Sequence, residues 1–174
     1  SSMQDSFPST DYKQACLDGS KCLEYNQTEM INYLQTNEFN LIVLCLGTGQ
    51  DVEGEGNDRA TMDLPNYQAQ LLQDVISTIN ADRTKVLLLL ISGSPVDIQL
   101  AQQSNSIQAI IQLGFGSQEL GTALKQAIIG DGVSKFGRLP YTWPKKLADL
   151  PGDITLYDMT RGFTYRYSTV EPLY

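Results

Sequence analysis

The chain has 174 residues, 41% of them apolar and 18% charged, and its 20 acidic against 12 basic residues give a formal net charge of -8. Those proportions belong to a globular domain with one core and exclude a disordered or fibrous chain. The lysines and arginines are scattered, so there is no basic cluster to neutralise phosphates, and nucleic acid and anionic membrane are excluded as partners.

No apolar stretch approaches the roughly 20 residues needed to cross a bilayer. The start "SSMQDS" lacks the basic and apolar regions of a signal peptide and reads as an appended segment, which leaves a leader further upstream open. Residues 1–28 carry Ser, Asp, Gln and Lys without a sustained period and read as an N-terminal extension. Cys16 and Cys22 flank "LDGSK", a short polar turn across which two sulfurs could meet; the alternative is a pair of free surface thiols. Asn26-Gln27-Thr28 is an N-glycosylation sequon, and with a disulfide it points to a secreted, extracellular or lysosomal location.

From residue 29 the pattern sharpens. "EMINYLQTN" puts Met30, Ile31 and Leu34 on one helical face, and the apolar run "NLIVLCLG" from 40 predicts a strand buried on both faces, with Cys45 a small buried hydrophobe within it. Pro65, preceded by Asp63, opens a helix in which Tyr67, Leu71, Leu72, Val75, Ile76 and Ile79 recur at helical spacing. "KVLLLLIS" from 85 predicts a second doubly buried strand, "VDIQLAQQS" a short helix and "IQAIIQLG" from 107 a third strand. Leu120, Leu124, Ala127 and Ile128 predict a last helix that stops at Gly130. Beyond it the chain is aromatic and punctuated by proline; Trp143 reads as a packing residue, Tyr165 and Tyr167 as alternating positions on an edge strand. The ending "TVEPLY" carries no terminating signal and reads as a cut from a longer protein.

Strand and helix alternate at βαβ spacing, so the class is α/β with a largely parallel sheet and helices on both faces. In such sheets ligands gather at the carboxyl ends of the strands. Three loops qualify: 47–63, "SGSPVDI" after the second strand, and "GFGSQELG" after the third. The first contains "GTGQDVEGEGNDR", with three carboxylates, Asp51, Glu53 and Glu55, and an Asp58-Arg59 pair.

By composition alone such a loop is ordinarily a solvated turn. It lacks the ligand ladder of an EF-hand. With no histidine in the chain, zinc sites and histidine triads are excluded, and neither a complete dinucleotide fingerprint nor a P-loop is present. The chemistry left to it is carboxylate acid/base catalysis, in which a mobile, glycine-flanked Glu acts once a second body closes over it and desolvates it. Asp51 reads as solvated, Asp58 and Arg59 as a structural pair fixing the loop to the sheet or as contacts to substrate, and Asp97 and Glu119 as helix-start carboxylates.

The series "GTGQDVEGEGNDR…LPNYQAQLL", "LLLISGSPVDI", "GFGSQELGTAL…IIGD", "FGRLPYTWP" and "FTYRYSTVEPLY" resembles, in order from about residue 16 to the end, the second domain of family 3 glycoside hydrolases, its tail most like the β-xylosidase branch. The resemblance implies a three-layer α/β/α sandwich over residues 29–174, with a first strand lying upstream of residue 1, and a fragment of a longer protein whose preceding TIM barrel carries an aspartate nucleophile. It implies that Glu55, with Glu53 as the alternative, supplies the general acid/base of a retaining β-glycosidase acting on an oligosaccharide or glycoside, with no cofactor and no metal. The rival implication is a non-catalytic carbohydrate- or protein-binding domain that kept the fold. In the third loop the chain departs from the family pattern, Leu120 standing where a glycine is usual.

Overall fold

The computed structural model describes residues 10–130, 137–153, 155, 158–163 and 165–173, so the "SSMQDS" start lies outside the described residues. The chain divides into two compact units, residues 15–114 with 139–174 and residues 1–14 with 115–138.

The larger unit is an α/β domain. Its parallel strands β1 (Leu41–Gly47), β2 (Lys85–Ile91) and β3 (Ile107–Gln112) lie side by side in chain order. Leu41 faces Lys85 and Gly47 faces Ile91 across β1 and β2, while the β2–β3 ladder slips between Val86 and Leu87. β2 is the central strand, and Val86, Leu88 and Leu90 are wholly inaccessible on one face while Leu87 and Leu89 are buried on the other. That dual burial is why its sequence is a continuous apolar run.

β1 departs from expectation. Leu44 and Leu46 are buried, but Leu41, Val43 and Cys45 alternate with them and are exposed. β1 is therefore buried on one face along most of its length, and Cys45 is a surface thiol rather than a core residue. A strand period of 2 sends alternate residues to opposite faces whether or not both are covered, so the apolar run could not distinguish the two cases.

Helices α1 (Gln27–Thr36) and α2 (Gln68–Thr78) pack on the first of these faces. α1 begins where the Asn26 Oδ1 accepts the Glu29 amide at 3.1 Å, and it buries Met30 and Leu34, one turn apart. α2 buries Leu71, Leu72 and Val75. It starts three residues after Pro65, because Asn66 takes φ +44°, outside the helical region, and Asp63 caps nothing in it. The short α3 (Gln99–Gln102) follows β2, with the Asp97 carboxylate accepting the Gln99 amide at 2.9 Å.

Trp143 closes this core. It is 1% exposed, its indole Nε1 donates to the Val96 carbonyl at 3.1 Å, and its own carbonyl accepts the Leu173 amide at 2.7 Å. The described residues beyond it lie in no strand and are tied by this anchor, by the Lys145–Glu171 ion pair at 2.9 Å and by the Tyr165 amide donating to the Thr142 hydroxyl at 3.1 Å; Tyr165 and Tyr167 are exposed in a turn, not on an edge strand.

In the smaller unit, α4 (Leu120–Ile129) begins after Glu119, whose side chain makes no cap bond, and ends at Gly130 in the left-handed conformation. Its end is the one the sequence predicts.

Replacing Trp143 with alanine removes both a large buried ring and the partner of a buried carbonyl. We expect Trp143→Ala to cost about 3–5 kcal/mol of unfolding free energy, read as a lowered midpoint in urea at unchanged slope.

Candidate active site

The three predicted loops begin at the carboxyl ends of their strands, and the first two meet there. The ladder between β1 and β2 runs one step past the strands, the Thr48 amide donating to the Ile91 carbonyl at 2.8 Å. At Gly47, φ is +143° and a Cβ would lie 2.0 Å from the Ile91 oxygen, so the crossing is passable only to glycine.

Beyond that point the loops are joined by a backbone bond from the Asp97 amide to the Met62 carbonyl at 2.7 Å and by a set of side chains. The Glu53 carboxylate accepts from the Thr48 hydroxyl at 2.6 Å and from the Gly93 amide at 3.0 Å through Oε1, and from Arg59 Nε and the Ser94 hydroxyl, both at 2.7 Å, through Oε2. Arg59 extends the contact across to the second loop, donating to the Ser94 hydroxyl at 2.7 Å and the Pro95 carbonyl at 2.8 Å. The two side chains are 14% and 12% exposed. Burial is the largest single influence on Glu53 and would raise its pKa, but the hydroxyls of Thr48 and Ser94 and the Arg59 guanidinium together outweigh it and hold the carboxyl at about 2. Glu53 is an anion at any physiological pH.

Glu55 sits differently. Gly54 and Asn57 exchange backbone hydrogen bonds of 3.0 and 2.9 Å, which makes Glu55 and Gly56 the two central residues of a tight turn. Gly56 takes φ +76°, the conformation that the third position of a type II turn reserves for glycine. Glu55 thus stands exposed at the apex of the loop, two residues beyond the clamp.

Asp58 is exposed, and Arg59 pairs with Glu53 rather than with this neighbour, so the structural pair expected at 58 and 59 is formed instead by 53 and 59. Asp51 is exposed but accepts a hydrogen bond from the Ser20 hydroxyl, which ties the loop to the N-terminal hairpin. That hairpin is closed by a Cys16–Cys22 disulfide with the Cα atoms 4.7 Å apart. Among the described residues no cluster of carboxylates, cysteines or histidines could hold a metal ion.

Two residues of this framework are missed by sequence reasoning. Gln68 is 3% exposed; its Oε1 accepts the Gly47 amide and its Nε2 donates to the Gly47 and Ser20 carbonyls, all at 2.7 Å. Ser94 bridges Glu53 and Arg59. The only available signal is its place in the second strand-end loop.

The architecture of the strand ends and the acidic loop can now be set beside known proteins. The model of the glycosyl hydrolase family 3 C-terminal domain matches residues 9–174. The chain belongs to this family. It is 40% identical over 102 residues to a probable β-D-xylosidase 7 of Arabidopsis thaliana, covering 59% of the chain and 13% of that protein. A probable β-D-xylosidase 6 of the same plant is 30% identical over 95% of the chain and 21% of its own length. The crystal structure of a β-glucosidase from Kluyveromyces marxianus in complex with glucose superposes at a TM-score of 0.58, with 29% identity, over 71% of the chain and 14% of that protein. The family 3 domain therefore spans only 13–21% of these relatives.

The clamp predicts a pH dependence. The Glu53 pKa is about 2 folded against an ordinary 4.5, so its stabilisation is fully present above about 4.5 and is lost as pH falls towards 2. We expect the unfolding free energy of wild type to exceed that of Glu53→Gln near neutral pH by at most about 3 kcal/mol from this linkage. The gap should narrow as urea titrations are repeated from pH 5 down to pH 2.5; a gap unchanged by pH would show that the carboxylate is not charge-stabilised.

Proposed function

We propose that this chain is the acid/base-bearing domain of a retaining β-glycosidase, with Glu55 the group that first protonates the glycosidic oxygen and then deprotonates water. The observation that supports it best is the division between the two glutamates. A carboxyl held at about 2 is almost never protonated at pH 6, so Glu53 is a poor general acid and takes the positioning role in this reading. Glu55, exposed at a glycine turn on a clamped base, can swing into a cleft formed by another body and acquire its proton affinity there by desolvation.

The nucleophile in this reading is an aspartate of a TIM barrel preceding the domain in the same protein, its carboxyl about 5–5.5 Å from that of Glu55 when a sugar is bound. The substrate is a short β-linked glycoside, a β-xyloside or β-glucoside in keeping with the relatives' names. No cofactor takes part. The disulfide and the Asn26 sequon support a secreted, extracellular or lysosomal location.

In the barrel-containing protein, Glu55→Ala should hydrolyse an activated aryl β-xyloside about 10²–10⁴-fold more slowly than wild type, with azide restoring turnover as a glycosyl azide. Glu53→Ala should lose activity together with thermal stability and yield no such product. The 174-residue chain alone should be inactive. Wild-type turnover by Glu55→Ala, or hydrolysis by the lone chain that Glu55→Ala abolishes, would overturn the assignment.

A further inference from the structure

A groove of about 450 Å³ opens beside the disulfide hairpin, away from the acidic loop. Its walls are mixed: Leu17, 62% exposed, Leu23, 57%, and Tyr67, 51%, line it with Tyr25 on one side, and Glu24, Asn26, Gln27 and Thr28 supply polar groups beside them. The Tyr25 and Tyr67 rings stand 6.3 Å apart and tilted by 42°, so they form two sides of one aromatic corner. Exposed aromatic and aliphatic faces set beside polar groups suit a ligand that is itself apolar on its C–H face and polar at its edges, as a sugar ring is.

The rim supplies the occupant. Asn26 and Thr28 also line the groove, both exposed, and Asn26-Gln27-Thr28 is the only sequon in the chain. We propose that Asn26 carries an N-linked glycan whose first sugar rings lie in this groove, their apolar C–H faces against Tyr25, Tyr67 and Leu23. In the transfer, Nδ2 bonds to the anomeric carbon of a lipid-pyrophosphate oligosaccharide, the carbon–oxygen bond to the pyrophosphate breaks, the lipid pyrophosphate leaves with that electron pair, and Nδ2 gives up one of its two protons.

The local geometry tolerates this product. Asn26 caps α1 through Oδ1, which accepts the Glu29 amide at 3.1 Å and is untouched by the new bond. Nδ2 donates to the Glu29 carboxylate at 3.3 Å and retains one hydrogen after modification. The cap and the glycan therefore use different atoms of one side chain. Gln27, the middle residue of the sequon, donates to the buried Asp74 at 2.9 Å, which fixes the start of the helix, and with it the direction in which the glycan leaves, relative to α2. Because Asn26 is itself part of the wall, the first sugar is delivered within one bond of the apolar surface, and its ordering entropy is small.

The chain secreted from a eukaryotic host behind a cleavable leader provides the test. Its intact mass should exceed the polypeptide mass by one N-glycan, lost on digestion with peptide:N-glycosidase and absent in Thr28→Ala, which leaves the cap in place. An unmodified Asn26 in the secreted wild type would overturn the proposal. Seating in the groove is read separately, by the rate at which the same enzyme releases the glycan from the native protein. Tyr67→Ala and, as an independent exposed-wall variant, Leu23→Ser should both speed release severalfold. Release at the wild-type rate from both would show a glycan projecting into solvent and would sink the groove assignment.

Discussion

The contact on which the site depends is the ion pair between Glu53 and Arg59. Parallel strands lend no hydrogen bonds to the loops beyond their carboxyl ends, and here the β1–β2 ladder stops at Thr48 and Ile91. Further out the connection is carried mainly by side chains, joined by a backbone bond from the Asp97 amide to the Met62 carbonyl at 2.7 Å. Glu53 gathers a hydroxyl from its own loop and both a hydroxyl and an amide from the β2 loop, while Arg59 returns across the same gap to Ser94 and Pro95. A lysine could not replace this arginine: a point charge cannot address a carboxylate, a hydroxyl and a carbonyl from one planar fork. The price is desolvation of two charges, and it is offset only because every oxygen and most of the donors involved find partners.

A second carboxylate solves a similar problem without a cation. Asp74, on α2 and 5% exposed, accepts from the Tyr25 hydroxyl at 2.7 Å and from the Gln27 and Gln70 amides at 2.9 Å. Burial opposes its ionisation, and these donors reverse the effect and hold its pKa below the ordinary range. Its job is to fasten the disulfide hairpin and the start of α1 onto α2. Gln68 fastens the same hairpin to the end of β1, and Ser20 passes the connection to Asp51 in the acidic loop. The N-terminal segment is thus a buttress of the loop's outer side, while the clamp holds its inner side.

What could be read from the sequence follows from how local each feature is. The three strands, the alternation that orders them and the Gly130 helix stop depend on neighbouring residues and were legible. The open face of β1 was not, since Leu41, Val43 and Cys45 have the same composition whether covered or bare. The start of α2 was misplaced because Asn66 in a left-handed conformation leaves no trace in hydropathy. In the site, the strand-end loops and the two glutamates were visible, but the Glu53–Arg59 partnership was not. A spacing of six residues belongs to neither helix nor strand, and its bridging member, Ser94, is 41 residues from Glu53.

The two glutamates, two residues apart, then separate along an old chemical divide. Stabilising a carboxylate as an anion and keeping it available as an acid require opposite surroundings, so one side chain cannot both lock a loop and donate a proton at neutral pH. With Glu53 at about 2, only about one molecule in ten thousand holds a proton there at pH 6. The loop resolves the conflict by spending one carboxylate on its own rigidity and carrying the other outward on Gly54 and Gly56. On the proposed reading, the proton affinity of Glu55 is then set by whatever surface closes over it, and this domain supplies the reach and the firm footing.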